Sequence, residues 1–147
     1  MIAGLRVEPV VLRGEGVRLE PLGQEHAQSL YNRGRTPTDW SFLPRACFID
    51  MADTRQWIEE AIAAPDQLPF VILETGKDKA VGSTRFLNIR PEHRALEIGW
   101  TWLGQEWQRT GVNTETKLLL LSHAFERLGW LVGHLGLWDE WSLHRAG

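Results

Sequence analysis

Cys47 is the single cysteine among 147 residues, so the chain can close no disulfide on itself and build no cysteine-based zinc site, and a reducing cytosol suits it. No nucleophile motif surrounds Cys47, and a small packed thiol is the expectation there. Charge of one sign is also scarce: 16 Lys and Arg stand against 19 Asp and Glu, a formal net charge of −3, and the arginines are scattered. Such a chain lacks the basic stripe of a nucleic-acid-binding surface. The longest uninterrupted aliphatic run, Leu118 to Leu121, falls far short of the ~20 residues that cross a bilayer. Met1-Ile2-Ala3-Gly4-Leu5-Arg6 has no charged region followed by a long apolar run. A soluble, unexported, cytoplasmic protein with no membrane partner is therefore expected. Neither glycine-rich nucleotide motif occurs, neither G-x-G-x-x-G nor G-x-x-x-x-G-K followed by Ser or Thr. No nucleophile elbow is present. His26, His93, His123, His134 and His144 lack metal-ligand spacing, so no metal is expected.

Apolar material is plentiful, with 43% hydrophobic and 24% charged residues, as in one soluble globular domain spanning residues 1–147. Eight tryptophans are present, and Trp100, Trp102, Trp107, Trp130, Trp138 and Trp141 come late; most are expected to be core or interface mass. Val17-Arg18-Leu19-Glu20 alternates and stops at Pro21, as a short edge-like strand does. Gln24 to Arg33 places Ala27, Leu30 and Tyr31 at helical spacing before Gly34. Thr36 to Phe48, with Pro37, Pro44 and Trp40-Ser41-Phe42-Leu43, reads as an ordered loop with aromatic anchors. A second helix is signalled by Asp53 or Thr54 as N-cap, by Trp57, Ile58, Ala61 and Ile62 on one face, and by Pro65 beyond its end.

Strands then follow one another. Phe70 to Leu73, Val81 to Ile89 and Ala95 to Leu103, separated by turns at Thr75–Asp78 and Arg90–His93, predict an antiparallel meander. Alternation puts Leu96, Ile98, Trp100 and Trp102 on one face of the last strand and Glu97, Gly99 and Thr101 on the other. The longest helix runs from about Thr114 to Leu128, with a stripe of Leu118, Leu121, Phe125 and Leu128 widened by Leu119, Leu120 and Ala124, and ends at Gly129. The fold class is α/β (α+β): a mixed, mainly antiparallel sheet flanked by helices.

One stretch points to chemistry. A strand leading through a short Gly-containing loop into a helix N-terminus is an anion site, because first-turn N–H groups lack intrahelical partners and the dipole is positive there. Gln108-Arg109-Thr110-Gly111-Val112-Asn113-Thr114 has that arrangement. Gly111 permits close backbone approach, Arg109 adds a cation, and Thr110, Asn113 and Thr114 add short polar groups. By itself the loop also fits an ordinary helix N-cap.

Gln108 to Asn113 matches a pattern of Gln or Arg, two variable residues, Gly, one variable residue, then Gly, Ala or Asn. It does so directly after a strand and before a helix. In this the chain resembles the GNAT superfamily of acyl-CoA-dependent N-acyltransferases, in particular the branch of ribosomal-protein N-terminal acetyltransferases. The order of the preceding elements fits as well, from Val17-Arg18-Leu19 through two helices to Pro69-Phe70-Val71-Ile72, Val81-Gly82-Ser83-Thr84-Arg85-Phe86 and Leu96 to Leu103. The resemblance covers about residues 11–130. It implies that backbone amides from Arg109 to Thr114 hold the pyrophosphate of acetyl-CoA, that the strand edge near Trp102 and Leu103 pairs with the pantetheine arm, and that an amine attacks the thioester directly.

Glu97 is then the candidate base, a partly buried carboxylate whose pKa such a setting would raise. A cross-strand ion pair with Arg85 is the competing reading. Trp40, Phe42 and Leu43 fall where the family's acceptor-side loop lies, and either wall the amine pocket or pack in the core. Beyond Gly129 the resemblance stops. The family continues with a strand ending near an Asn, a helix bearing a general-acid Tyr and two closing strands, none of them recognisable in residues 131–147. A lost reading frame near Trp130 to Val132, or truncation, is the expectation, although Leu131 to Trp138 has the makings of one strand. An open sheet edge would invite homodimerisation. The alternative function is accordingly a catalytically inactive fragment that binds CoA weakly or self-associates.

Overall fold

The computed structural model describes residues 7–41, 43, 45–77, 79–129 and 131–134, with residues 38, 39 and 131–134 described by backbone alone. β2 (Val17–Pro21) buries Val17 and Leu19 completely on one face, and proline, without an N–H, ends it. It is not an edge strand, because the two residues of β1 (Leu12–Arg13) pair with it on one side and β3 (Leu68–Glu74) on the other. β4 (Ala80–Arg90) and β5 (Ala95–Leu103) continue the antiparallel meander, and β6 (Leu131–His134) joins the start of β5 in parallel. The sheet order is β1-β2-β3-β4-β5-β6, and the expected mixed, mainly antiparallel class holds. β4 approaches β5 so closely that a Cβ on Gly82 would lie 2.1 Å from the Trp102 carbonyl oxygen, which only glycine allows.

A 3₁₀ turn at Gln24–His26 leads into α1 (Ala27–Arg33), which buries Ala27 and Leu30. α2 (Met51–Ala63) starts earlier than the capping pattern suggested: Asp50, rather than Asp53 or Thr54, accepts the Asp53 N–H at 2.8 Å. Such a cap is worth about 1 kcal/mol. Asp53 instead accepts from the Ile49 amide at 3.0 Å and from Arg45 at 2.8 Å, tying the preceding loop to the helix. Burial pushes the Asp53 carboxyl up, but the Ile49 amide and the Arg45 guanidinium outweigh it and hold the group below its ordinary value. Ile62, expected on the buried face of α2, is 50% exposed, and Thr54 is buried in its stead.

α3 (Val112–Ser122) begins two residues before the predicted start and passes into a π-helical turn, His123–Leu128, closed by Gly129 at φ +67°. Its inner face is Asn113, Thr116, Leu120, Ala124 and Leu128, whereas Leu118 and Phe125 of the predicted stripe are more than half exposed. The leucine run is apolar nearly all round, so its periodicity selects no unique face; the four-residue steps from Thr116 onward, accommodated by the wide π turn, decide it.

Two cores result. Beneath α3 lie Leu19, Phe70, Phe86, Leu96 and Ile98; beneath α1 and α2 lie Trp40, Phe48, Trp57, Val71 and Trp102. Full burial of each such side chain contributes roughly 1.5–3 kcal/mol.

β5 supplies both cores through a bulge. Gly99 faces Arg85 and Trp102 faces Ser83, so three steps along β5 match two along β4, and Trp100 takes a left-handed backbone at φ +51°. The predicted alternation breaks there. Leu96 and Ile98 point to α3, but Trp100 stacks on Arg85 and Trp102 sits in the aromatic core under α1 and α2. Trp100 and Trp102 thus share a face with Glu97, contrary to the strict two-residue period.

Candidate active site

β6 pairs with β5 only through Ala95↔Leu131, Leu96↔Val132 and Glu97↔His134. Among the described residues no strand continues that pairing along Ile98 to Leu103. The strand then delivers the chain, through a 3₁₀ turn at Gln105–Trp107, to the N-terminus of α3.

The loop between them is braced from within. The Gln108 side-chain amide donates to the Leu103 carbonyl at 2.9 Å, fastening the loop to the strand end. The Thr110 hydroxyl donates to the Trp107 carbonyl at 2.6 Å and accepts from the Val112 N–H at 3.3 Å, so its donor is spent on the loop itself. Arg109 is exposed, with a left-handed backbone at φ +60°. Gly111 is exposed, and a Cβ added to it would meet no atom within 4 Å. Thr114 is exposed as well, whereas the Asn113 side chain turns inward, 3% exposed with a buried Oδ1 that finds no donor. Asn113 can therefore offer a ligand its backbone but not its side chain.

The Gln108 to Thr114 loop thus adjoins the end of β5 at Trp102 and Leu103, residues each 1% exposed whose side chains serve the two cores. A second cation escaped the sequence reading: the Arg33 guanidinium lies 4.9 Å from the centre of the Trp107 ring, beside the loop, at the end of α1. Nothing in the local sequence of α1 signals that contact.

Glu97 lies on the face toward α1 and α2, its side chain 23% exposed. Asn88, at a bulge with φ +47°, donates to Glu97 Oε2 at 2.9 Å, and Arg90 approaches to 3.9 Å. The alternative ion pair with Arg85 does not form. Arg85, 4% exposed, donates from Nη1 to Gln67 Oε1 at 2.7 Å and lies between the rings of Trp57 at 5.7 Å and Trp100 at 4.5 Å. Burial pushes its pKa down to about 10, so the group stays charged at neutral pH.

Of the acceptor-loop residues, Trp40 is 2% exposed and packs against Phe48, Trp57 and Trp102 with ring centres 4.9–6.2 Å apart. Leu43 is half-buried against the same cluster, and Phe42 lies outside the described residues. A cavity of about 530 Å³, lined among others by Pro21, Leu68, Gln67 and Ile89, opens at the other end of the sheet from the loop. Among the described residues no three His, Cys, Asp or Glu side chains meet as a metal site, and no helix is long and apolar enough to cross a membrane.

Sequence comparison identifies the family in which this strand, braced loop and helix belong. The family model for the acetyltransferase (GNAT) domain matches residues 17–136, and the chain belongs to that family. Among solved structures it is similar to an acetyltransferase of the GNAT family from Chromobacterium violaceum, with 30% identity and a TM-score of 0.78 over 88% of this chain and 68% of that one. A GCN5-related N-acetyltransferase from Brucella melitensis gives 26% identity and a TM-score of 0.79 over 84% of this chain and 58% of that one. The acetyl transferase of Salmonella typhimurium that modifies the N-terminal serine of ribosomal protein L7/L12 shares the fold at 18% identity and a TM-score of 0.68, over 83% of this chain and 71% of that one. The chain thus spans between 58% and 71% of the length of these structures. No curated protein sequence matched it.

Proposed function

We propose that this chain transfers an acetyl group from acetyl-CoA to a primary amine, on a protein N-terminus or a small molecule. The observation that carries the reading is the run of β5 into the braced Gln108–Thr114 loop at the N-terminus of α3. In this reading the backbone amides from Arg109 to Thr114 hold the pyrophosphate at the positive end of α3, with Arg109 adding charge. The peptide groups of Trp102 and Leu103 pair with the pantetheine amides as a neighbouring strand would.

The acceptor enters from the face of α1 and α2, where Leu43 and Trp100 are partly exposed. Its nitrogen attacks the thioester carbonyl carbon, the C–N bond forms as the C–S bond breaks, the amine's surplus proton passes to Glu97, and the leaving thiolate takes up a proton. Asn88 supports the role of Glu97 by fixing one carboxylate oxygen while leaving the group reachable from solvent. A reducing cytosol, where a lone thiol such as Cys47 persists, is the compartment that suits the reaction.

Thermal shift with acetyl-CoA, followed by thiol release with a panel of amines, tests the reading. Glu97→Gln should leave acetyl-CoA binding unchanged and lower kcat by about 10²–10⁴-fold, the usual contribution of a general base; full turnover by that variant would remove Glu97 from the role. Binding of CoA without thiol release from any amine would point instead to an inactive chain that only binds CoA or self-associates.

A further inference from the structure

The transferase reading gives Arg85 no part, yet among the described residues Arg85 is a buried cation, 4% exposed, without a carboxylate partner. Only Nη1 is engaged, by the neutral amide oxygen of Gln67, and the buried Nε has no acceptor. The Nε side of a guanidinium is one of the two edges that take a carboxylate in a bidentate grip. Neighbouring groups repeat the pattern: the buried indole N–H groups of Trp40, Trp57 and Trp102 also lack acceptors. This face of the sheet therefore holds buried donors and a cation in excess, whereas the unpartnered buried oxygens, Asn113 Oδ1 and Thr116 Oγ1, belong to α3. A charge kept out of water without a counter-ion is costly, which marks Arg85 as a candidate functional position.

Position adds the second half of the argument. Arg85 pairs with Gly99 and Leu87 with Glu97, so Arg85 and Glu97 share a face one diagonal apart, roughly 7–8 Å at the backbone. Trp100, itself partly exposed, lies over the buried guanidinium from a left-handed backbone that a bulky residue rarely adopts. A ligand with an amine at Glu97 and a carboxylate at Arg85 needs only a short spacer between them.

We propose that Arg85, flanked by Trp57 and roofed by Trp100, takes the carboxylate of the acceptor, which makes the acceptor an amino acid with a free carboxylate. The inference rests on the transferase reading, with Glu97 at the amine end, and narrows its acceptor class. Polyamines and other polycationic amines are then poor acceptors, because they would bring positive charge against Arg85.

Isothermal titration of the standard L-amino acids and their amides, with and without saturating CoA, tests it, with tryptophan fluorescence as a second readout at the ring cluster. At least one amino acid should bind about tenfold or more tightly than its own amide, as expected of a site built to grip a group that the analogue lacks. Arg85→Gln should bring that ratio to about one, and Arg85→Lys, which keeps the charge but loses the fork, should retain part of it. A ratio near one for every pair in the unmodified protein overturns the proposal without any variant, and so does a preference that survives Arg85→Gln. Failure of CoA itself to bind is read separately and strikes the transferase reading instead.

Discussion

Replacing Gly111 by alanine probes the loop while disturbing the fold little. Gly111 has φ −73° and ψ −3°, a helical backbone open to any residue, and the added methyl would meet no protein atom within 4 Å. An alanine that fits its backbone stabilises by about 0.4–1 kcal/mol through the unfolded chain. The penalty of alanine at an extended N-cap, about 1 kcal/mol, does not apply to a residue already helical. The melting temperature should accordingly stay within about 2–4 °C of the parent. The protein thus gives no reason for glycine here, and the reason would have to come from the ligand. A methyl standing between the first-turn amides and a pyrophosphate would cost about one charge-assisted hydrogen bond, roughly 1.5–3 kcal/mol, or about 10–150-fold in Kd. Calorimetric titration of CoA reads this, and pantetheine, which lacks the pyrophosphate, serves as the control whose affinity should not move. A Kd for CoA unchanged by Gly111→Ala, at unchanged melting temperature, would refute the placement of the pyrophosphate on this loop.

The buried hydroxyls of Thr84 and Thr101, 2.8 Å apart, form a chain with Lys117, whose Nζ donates to Thr101 Oγ1 at 2.9 Å. Thr84→Val leaves Thr101 still bonded to Lys117 and should cost about 1 kcal/mol, whereas Thr101→Val strands Thr84 and removes an acceptor from Lys117, for about 1–3 kcal/mol; urea midpoints in the reverse order would contradict the network. His123, stacked on Phe86 with ring centres 6.3 Å apart, has its pKa pushed down by burial and by the nearby Arg127. Between that lowered value and about 6.5 the unfolded chain holds a proton that the folded chain refuses, so stability falls as pH drops through this window and is regained above it. Melting curves from about pH 5 to pH 7 should show a steeper acid loss for the parent than for His123→Phe, and equal slopes would count against the assignment.

Much of this architecture is legible in the residues, and the parts that are not share a physical cause. β5 was expected at Ala95 to Leu103 and lies there, because turn signals stand at both ends and β-favouring residues fill it. The connection from β5 into a helix near residue 112 was legible because the strand pattern ends at Leu103 and a leucine-rich helical run follows. Side-chain direction was read less well. Asn113 turned out buried because α3 starts at Val112 and puts position 113 on the inner face. Asp50, Asp53 and Thr54 can all cap a helix, and which one does depends on Arg45 drawing Asp53 away. A cross-strand pair with Arg85 is one of the two readings that the residues allow for Glu97, because opposite charges on adjacent strands commonly pair, but Asn88 and Arg90 reach Glu97 instead. In each case the decisive partner is set by tertiary structure, which a local pattern does not contain.

The bulge at Trp100 shows why one such departure has consequences for function. A tryptophan held at φ +51° costs on the order of 1–3 kcal/mol, which the packing around it must offset. Without the extra residue, Trp102 would fall into the core under α3 and Thr101 would face α2, leaving Lys117 without its hydroxyl and the aromatic core without a ring. With it, Leu96, Ile98 and Leu103 all serve the core under α3, while Glu97, Trp100 and Trp102 gather on the opposite face with Arg85. A bulged strand also bends and twists more sharply than a regular one. The bend falls just beyond Glu97, the last residue of β5 that β6 pairs with. A single inserted residue thus accounts for the side chains gathered beside Arg85, so the proposed acceptor face is set by one local event in β5.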